Sequence, residues 1–321
     1  MTSRGRVFSS VAIAAAIASG VVVVGVLATR GHVPGAPGPR KGHPPLVLEL
    51  GVRTDAEAQA LRRADRLYGR RQYDDAGKIF GRYRSLEAEV GAALADWPGG
   101  TLTRLQDLQA EHPQSSLVAF HLGLALYWDR KDDDALAAWR AAAKNQPDTL
   151  YAIRAGDFLH PRFAPGLPPF VPSFPTPSRL RGLPAPDLFA ALRTAAAGGG
   201  AHAKILYGTA LQQVGRAVSA ERQFAAAARL APDDPDARVA EAVGLFDKGN
   251  PARAFGRLGP LTRVFPKAQT VRFHLGVLLV WSAQVKEARK QLRLAEREDP
   301  RSPLAGQARR YLTALAGLGT H

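Results

Sequence analysis

Proline recurs every 34 residues in two parts of this chain, and that interval limits what the sequence can fold into. Pro113 and Pro147 form one pair, and Pro232, Pro266 and Pro300 continue the same step farther along. Small residues keep the same interval, at Ala220, Ala254 and Ala288. A period of 34 with small residues inside each unit and proline at its end is typical of stacked helix pairs. The sequence therefore predicts an all-α chain of helical repeats.

Four stretches align as repeat units, and they begin at Ser116, Ala201, Pro235 and Gln269. Each unit has a small residue at position 8, alanine at 20, a large residue at 24 and proline at 32. The position-8 residues are Gly123, Gly208, Ala242 and Gly276, and the position-24 residues are Trp139, Phe224, Leu258 and Leu292. Small residues let two helices cross closely, and proline ends the second helix because it lacks an N–H. We expect the large residue to fill the groove to the next helix pair.

This pattern resembles the tetratricopeptide repeat, and the resemblance covers most of residues 54–318. It implies an all-α fold, a right-handed α-solenoid of helix pairs, closed by a capping helix over residues 305–318. Residues 56–71 and 73–96 are also predicted to be helical, the second stretch as one long helix. Tyr151–Leu159 and Asp187–Ala197 are predicted to be the two helices of an interrupted unit.

Residues 7–29 contain no charged side chain and predict a single transmembrane helix. As a helix they span about 34 Å, enough for a hydrocarbon core of about 30 Å. A cleavable signal peptide ending near Ala16-Ile17-Ala18 is the alternative, but its apolar region is normally only about 7–15 residues long. We therefore expect an uncleaved signal anchor in the cell membrane. The short tail, residues 1–6, is expected inside the cell and the repeat domain outside it.

Two proline-rich stretches interrupt the helical pattern. Residues 30–53 are predicted to be an extended Pro/Gly-rich linker that separates the anchor from the repeats. Residues 160–186 are predicted to be an insertion, with nine prolines interleaved with Phe163, Phe170 and Phe174. The insertion is either a loop packed on the repeats, a lid over their groove, or an extended strip that a partner recognises.

Chemistry-bearing motifs are missing from the sequence. It has no cysteine, no H-E-x-x-H, no nucleophile elbow and no phosphate-binding glycine loop. His121 and His274 stand in the closely similar strings VAFHLGLALYW and VRFHLGVLLVW, so repetition of a structural unit explains them better than catalysis. We expect no enzyme activity, no catalytic residue, no cofactor and no metal site.

The formal charge of +15 is unevenly distributed, since residues 201–321 hold 19 basic and 10 acidic residues. A basic surface attracts acidic proteins, anionic lipid or nucleic acid. A solvated arginine-rich surface is the simpler interpretation, and nucleic-acid binding is therefore expected to be unlikely as a function.

The resemblance implies a concave groove that binds peptide through positions 2, 5, 9, 12 and 13 of each first helix. The corresponding candidates are Leu117, Phe120, Leu124, Tyr127, Trp128, Ile205, Thr209, Gln212, Phe273, Val277 and Trp281. These side chains are mainly apolar and suit a hydrophobic helix or an extended segment. Alternatively, they pack on the next repeat or under the proline-rich insertion.

Two functions remain open at this stage. The first is a non-enzymatic, membrane-anchored scaffold that binds a protein or peptide partner, probably an envelope protein. The second is a module that binds a small molecule or lipid, with the proline-rich loop as its lid.

Overall fold

The computed structural model describes residues 41–316, and these are all-α: fifteen α-helices and a short 3-10 turn, with no β-strand in that range. The predicted membrane span, the tail before it and the start of the predicted linker lie outside the described residues. Between residues 41 and 316, no helix is long and apolar enough to cross a bilayer. The described residues form two compact units that meet in the sequence between Leu159 and His160.

The N-terminal unit contains seven helices after an irregular opening segment. They are α1 (Ala56–Gly69), α2 (Tyr73–Phe80), α3 (Leu86–Ala95), α4 (Thr101–Glu111), α5 (Ser116–Trp128), α6 (Asp132–Asn145) and α7 (Leu150–Leu159). Helices α5 and α6 form a closely packed pair, and α7 packs on both of them. One apolar core runs through the whole unit, from Leu50 to Ala155.

The C-terminal unit begins with the proline-rich insertion and continues through eight helices. They are α8 (Ala185–Ala197), α9 (Ala201–Gln213), α10 (Ala217–Leu230), α11 (Pro235–Gly244), α12 (Ala252–Val264), α13 (Gln269–Trp281), α14 (Val285–Glu298) and α15 (Pro303–Ala316). Consecutive helices pack on each other, and the closest pairs are α9 with α10 and α13 with α14. The predicted pairing of helices at 34-residue intervals is therefore confirmed in both units.

Glycine at position 8 is required because the position-24 side chain of the same unit lies directly on it. A Cβ added to Gly123 would stand 2.5 Å from the Trp139 ring, and one added to Gly208 would stand 2.5 Å from the Phe224 ring. Trp139 also donates its indole N–H to the carbonyl of Phe120, at 3.3 Å. The large residue thus joins the two helices of its own pair, whereas the sequence suggested that it fills the groove to the next pair.

Two predicted helical segments differ from the observed ones. The stretch 73–96 is two helices, α2 and α3, with a turn over residues 81–85. The fully buried ring of Phe80 lies so close to Gly91 that a Cβ there would be 2.8 Å away, so α3 folds back on α2. The proposed interrupted unit is also not one helix pair: α7 packs on α6, α8 packs on α9, and the two belong to different units.

Candidate functional site

In each unit, an irregular, proline-containing segment lies against the helices and hydrogen-bonds to them through its backbone. The N-terminal strap comprises residues 43–50, and the C-terminal strap comprises residues 163–174. An extended backbone cannot satisfy its own N–H and C=O groups, so a packed segment needs partners from elsewhere. In both straps, helix side chains provide them.

The N-terminal strap crosses three helices of its unit. The Tyr68 hydroxyl donates to the carbonyl of Pro44 at 2.6 Å. The N–H of Val47 donates to Nε2 of His121 at 3.1 Å, and the N–H of Glu49 donates to the Tyr151 hydroxyl at 2.9 Å. The ring of His43 stacks on Tyr73 with centroids 3.5 Å apart, and Leu50 is buried. This part of the segment predicted to be a free linker is therefore packed on the repeats.

The C-terminal strap runs along the first helices of its unit, from their C-terminal to their N-terminal ends. The N–H of Ala164 donates to the carbonyl of Trp281, the last residue of α13, at 3.0 Å. The N–H of Phe170 donates to Oε1 of Gln212 on α9, at 3.0 Å. The N–H of Val171 donates to Nε2 of His274, in the middle of α13, at 2.9 Å.

Aromatic rings fix the same strap from the side. Phe170 is fully buried, with its ring stacked on His274 at 4.6 Å between centroids and tilted toward Phe224 at 5.6 Å. Phe174 stacks on His202 at 3.9 Å. Of the three possible roles of the insertion, the packed loop describes this arrangement.

His121 and His274 perform the same task in the two units, and their neighbours define their tautomer. Nδ1 of His121 lies 2.8 Å from the carbonyl of Leu117, and Nδ1 of His274 lies 2.7 Å from the carbonyl of Thr270. A carbonyl can only accept, so Nδ1 carries the proton; Nε2 is then free to accept the strap N–H. Burial lowers the pKa of both imidazoles to about 4, which keeps them neutral and able to accept.

A buried carboxylate holds the N-terminal ends of the first helices to the C-terminal strap. Asp236, the second residue of α11, accepts the N–H of Ser173 at 3.2 Å and also the Ser173 hydroxyl. Its Oδ1 accepts the Thr270 hydroxyl at 3.0 Å. Burial raises the pKa of Asp236, while the hydrogen bonds from Ser173 and Thr270 act against that shift. Because Thr270 also contacts Nδ1 of His274, the carboxylate and the imidazole belong to one network.

Both units leave the same donor without an acceptor. Trp128 and Trp281 stand at position 13 of their repeats, and among residues 41–316 each indole N–H is buried with no hydrogen-bond partner. An unsatisfied buried donor costs about 1–3 kcal/mol. The straps therefore fill these surfaces without satisfying every polar group on them.

The candidate groove residues from the sequence fall into two groups, one in each unit. Leu117, Phe120, Leu124, Ile205, Phe273, Val277 and Trp281 are buried, and Tyr127, Trp128, Thr209 and Gln212 are partly buried. Phe120 contacts Phe158 of α7, with centroids 6.1 Å apart, and Phe273 contacts Tyr311 of α15 at 6.1 Å. Gln212 and the Trp281 carbonyl bind the C-terminal strap. Their role in binding a partner remains a prediction.

Sequence reasoning missed the residues that hold the straps, namely His121, Tyr151, Asp236 and His274. The repeated Phe-His-Leu-Gly string was the one available signal, because it places a polar side chain at the same buried position twice. Asp236 and Tyr151 gave no signal, since neither belongs to a repeated motif.

The insertion also borders a cavity of about 370 Å³ in the C-terminal unit. Its walls are mainly apolar and include Phe174, Pro177, Leu180, Leu192 and Leu206, with Arg179 and His202 as polar groups. Nε2 of His202 lies 2.9 Å from the Asp234 carboxylate. In residues 41–316, no three His, Asp or Glu side chains are grouped so that they could hold a metal ion.

Neither a protein-family profile nor a curated protein sequence is similar to this chain. Solved structures show distant likenesses. The TPR2AB domain of yeast Sti1 in its pHSP90 complex is 12% identical over 81% of this chain and 98% of that chain, with a TM-score of 0.30. Yeast Tom70 is 12% identical over 92% and 69%, with a TM-score of 0.31. The C-terminal part of a TPR repeat-containing protein from Cytophaga hutchinsonii is 14% identical over 77% and 98%, with a TM-score of 0.28. Likenesses this weak do not bear on function.

Proposed function

We propose that this chain is a non-enzymatic, membrane-anchored scaffold that binds protein partners at the cell envelope. In this proposal its helix pairs follow the right-handed winding of tetratricopeptide repeats, and residues 7–29 anchor it with the repeats outside the cytoplasm. The observation that carries the proposal is the pair of straps. In both units, helix side chains already bind an extended polypeptide through its backbone N–H groups.

The contacts define what kind of partner segment suits these surfaces. Imidazole Nε2 atoms and the Gln212 amide oxygen accept backbone N–H groups, and such contacts do not depend on the partner's side chains. The stacked ring of Phe170 adds an apolar anchor. The buried indole N–H of Trp281 needs a carbonyl, which an incoming chain carries at every residue. An extended, proline-containing segment with an aromatic residue meets these requirements.

Because the straps occupy the surfaces, a partner segment has to exchange with them. The test uses a synthetic peptide of residues 163–176 and a chain whose own strap is loosened by Phe170→Ala and Ser173→Ala. We expect the peptide to bind the loosened chain and to bind the unmodified chain far more weakly. Thr176→Ala, an exposed change in the same insertion, is the matched control and should behave like the unmodified chain. Failure of the peptide to bind the loosened, folded chain would contradict peptide recognition at this surface.

Partner binding is tested in cells with a photo-crosslinking residue at Gln212 in the full chain. Crosslinks to a defined protein should become more frequent when the strap is loosened. A reporter fused after His321 tests the orientation, and activity of a cytoplasm-only reporter would overturn the extracytoplasmic placement.

The cavity beside the insertion favours a second candidate, a small-molecule or lipid-binding module with the insertion as part of its wall. Its volume lies within the range of about 300–1,000 Å³ that is usual for ligand sites. Native mass spectrometry of the gently extracted chain should then detect a bound apolar ligand. Replacing Leu192 by Trp would fill the cavity and should remove that ligand; a chain that carries none excludes this function.

A further inference from the structure

The second helices of the C-terminal unit present a basic surface that the proposed scaffold function does not use. Arg229, Arg263 and Arg297 are 34 residues apart, at position 29 of three consecutive repeats, and all three are exposed. They lie in the last turns of α10, α12 and α14. Cations near a helix C-terminus are favourable for the helix itself, so this recurrence alone does not define a site.

Helix α14 extends the same surface along its length. Lys286, Lys290, Arg293 and Arg297 follow a spacing of four, three and four residues, which places them on one face of the helix. The buried residues Ala288, Leu292 and Ala295 occupy the opposite face. All four cations are exposed, and none forms an ion pair within residues 41–316.

Acidic side chains do little to neutralise this surface. Helix α12 contains no Asp or Glu. Glu221 on α10 already lies 3.7 Å from Arg253, and Glu296 on α14 lies 3.6 Å from Arg309. Glu287 and Glu298 are exposed on another side of α14.

Two exposed apolar side chains stand beside the recurring arginines, and they make the surface more than a charge cluster. Leu230 is 55% exposed next to Arg229, and Val264 is 59% exposed next to Arg263. They are 34 residues apart and so occupy the same repeat position. Together with Leu183, they are the only large apolar residues of 41–316 that are strongly exposed. Single exposed apolar residues are ordinary, but recurrence at one position beside a recurring cation points to a shared ligand.

We infer that this basic surface docks on an anionic phospholipid bilayer. Arginine binds phosphate oxygens through its planar fork, and an apolar neighbour can enter the boundary between headgroups and acyl chains. A nucleic acid suits the surface less well, because no aromatic ring among residues 41–316 is strongly exposed for base stacking. The docking surface comprises Arg229, Leu230, Arg263, Val264, Lys286, Lys290, Arg293 and Arg297.

The sequence contains no cysteine, so the full chain accepts one specific probe. Val264→Cys is labelled with an environment-sensitive fluorophore and the chain is combined with vesicles that contain a nitroxide-labelled lipid quencher. The vesicles consist of phosphatidylcholine alone or of phosphatidylcholine with phosphatidylglycerol. We expect quenching only with phosphatidylglycerol, and added salt should reverse it. A label at Thr176→Cys, in the insertion on the first helices, should stay unquenched in both.

Charge reversal at the recurring arginines provides the second measurement. Each basic residue near an anionic surface contributes about five-fold, which is about 1 kcal/mol. Arg229→Glu, Arg263→Glu and Arg297→Glu together should therefore lower the ratio of docked to undocked chain by about 100-fold. The control carries the same charge change at three exposed residues of the N-terminal unit, Arg63, Arg66 and Arg82, and should dock like the unmodified chain.

Several outcomes would overturn the inference. Equal quenching on neutral and anionic vesicles would mean that charge is not read. Equal docking by the triple variant and its control would mean that the surface is not the one in contact. Salt-sensitive binding to a soluble polyanion, without quenching on any vesicle, would assign the surface to another acidic partner. Should the triple variant unfold, the lipid and salt comparisons with intact arginines still decide.

Discussion

Replacing Gly208 by alanine tests whether position 8 is small because of the ring that lies on it. A Cβ at this position would stand 2.5 Å from Cε1 and 2.7 Å from Cδ1 of Phe224. Phe224 is fully buried, so the ring cannot move aside without disturbing its neighbours. Overpacking of this kind costs about 1–3 kcal/mol. Against it stands the helix preference of alanine over glycine, about 1 kcal/mol.

Gly256→Ala is the matched control, because it makes the same change inside helix α12 at a site with nothing within 4 Å of the new Cβ. Both variants gain the same helix preference, so the difference between their free energies of unfolding isolates the steric cost. We expect Gly256→Ala to stabilise the chain by up to about 1 kcal/mol. Gly208→Ala should be less stable than Gly256→Ala by about 1–3 kcal/mol. Urea unfolding followed by far-ultraviolet circular dichroism measures both.

The chain itself supplies the compensating change. The unit that begins at Pro235 combines Ala242 at position 8 with Leu258 at position 24. Phe224→Leu should therefore reduce the cost of Gly208→Ala, and a double-mutant cycle should show a favourable coupling energy. If Gly208→Ala proved as stabilising as Gly256→Ala, the steric explanation of the repeat pattern would be wrong.

Three further predictions concern the residues that hold the straps. The native pKa of His274 is about 4 against a usual 6.5, so the unfolded chain binds more protons and the free energy of unfolding falls as pH drops from about 6.5 toward 4. At 1.4 kcal/mol per pKa unit this amounts to about 3 kcal/mol; His274→Gln, which still accepts an N–H but does not titrate, should remove that part of the pH dependence in urea titrations. The raised pKa of Asp236 works in the opposite direction, and a variant as pH-sensitive as the unmodified chain would refute the assignment. Tyr151→Phe removes the acceptor of the Glu49 N–H and should cost about 1–2 kcal/mol, with faster amide exchange at Glu49 as the specific readout; unchanged exchange there would contradict it. Asp236→Ala leaves the Ser173 N–H and the Thr270 hydroxyl without an acceptor and should cost at least about 2 kcal/mol, whereas Asp234→Ala, at an exposed ion pair, should cost about 1 kcal/mol or less.

The helix pairs were predictable from the sequence because the residues that join them recur in register. Gly208 and Phe224 touch across one pair, and the same two positions repeat in the neighbouring units, so the pattern carries the contact. The turn over residues 81–85 was not predictable in this way. Apolar residues continue through it, and a single glycine such as Gly81 is tolerated inside a helix.

The straps were beyond local reasoning for a different reason. Their hydrogen bonds join Val47 to a residue 74 positions away and Val171 to one 103 positions away. Proline-rich segments have no periodicity that would assign them a buried face. The repeated histidines were recognised as equivalent, but a sequence does not show which N–H a buried imidazole accepts.

Covalent attachment gives the C-terminal strap an advantage over any free competitor. A segment tethered by a short flexible connection acts as if it were present at about millimolar concentration. A free peptide of equal intrinsic affinity would half-occupy the surface only near that concentration, even if it bound an emptied surface far more tightly. Partners that bind through this surface would therefore have to exceed the affinity of the strap or arrive with a second attachment point, so the fold sets a threshold that screens out weak, incidental binders.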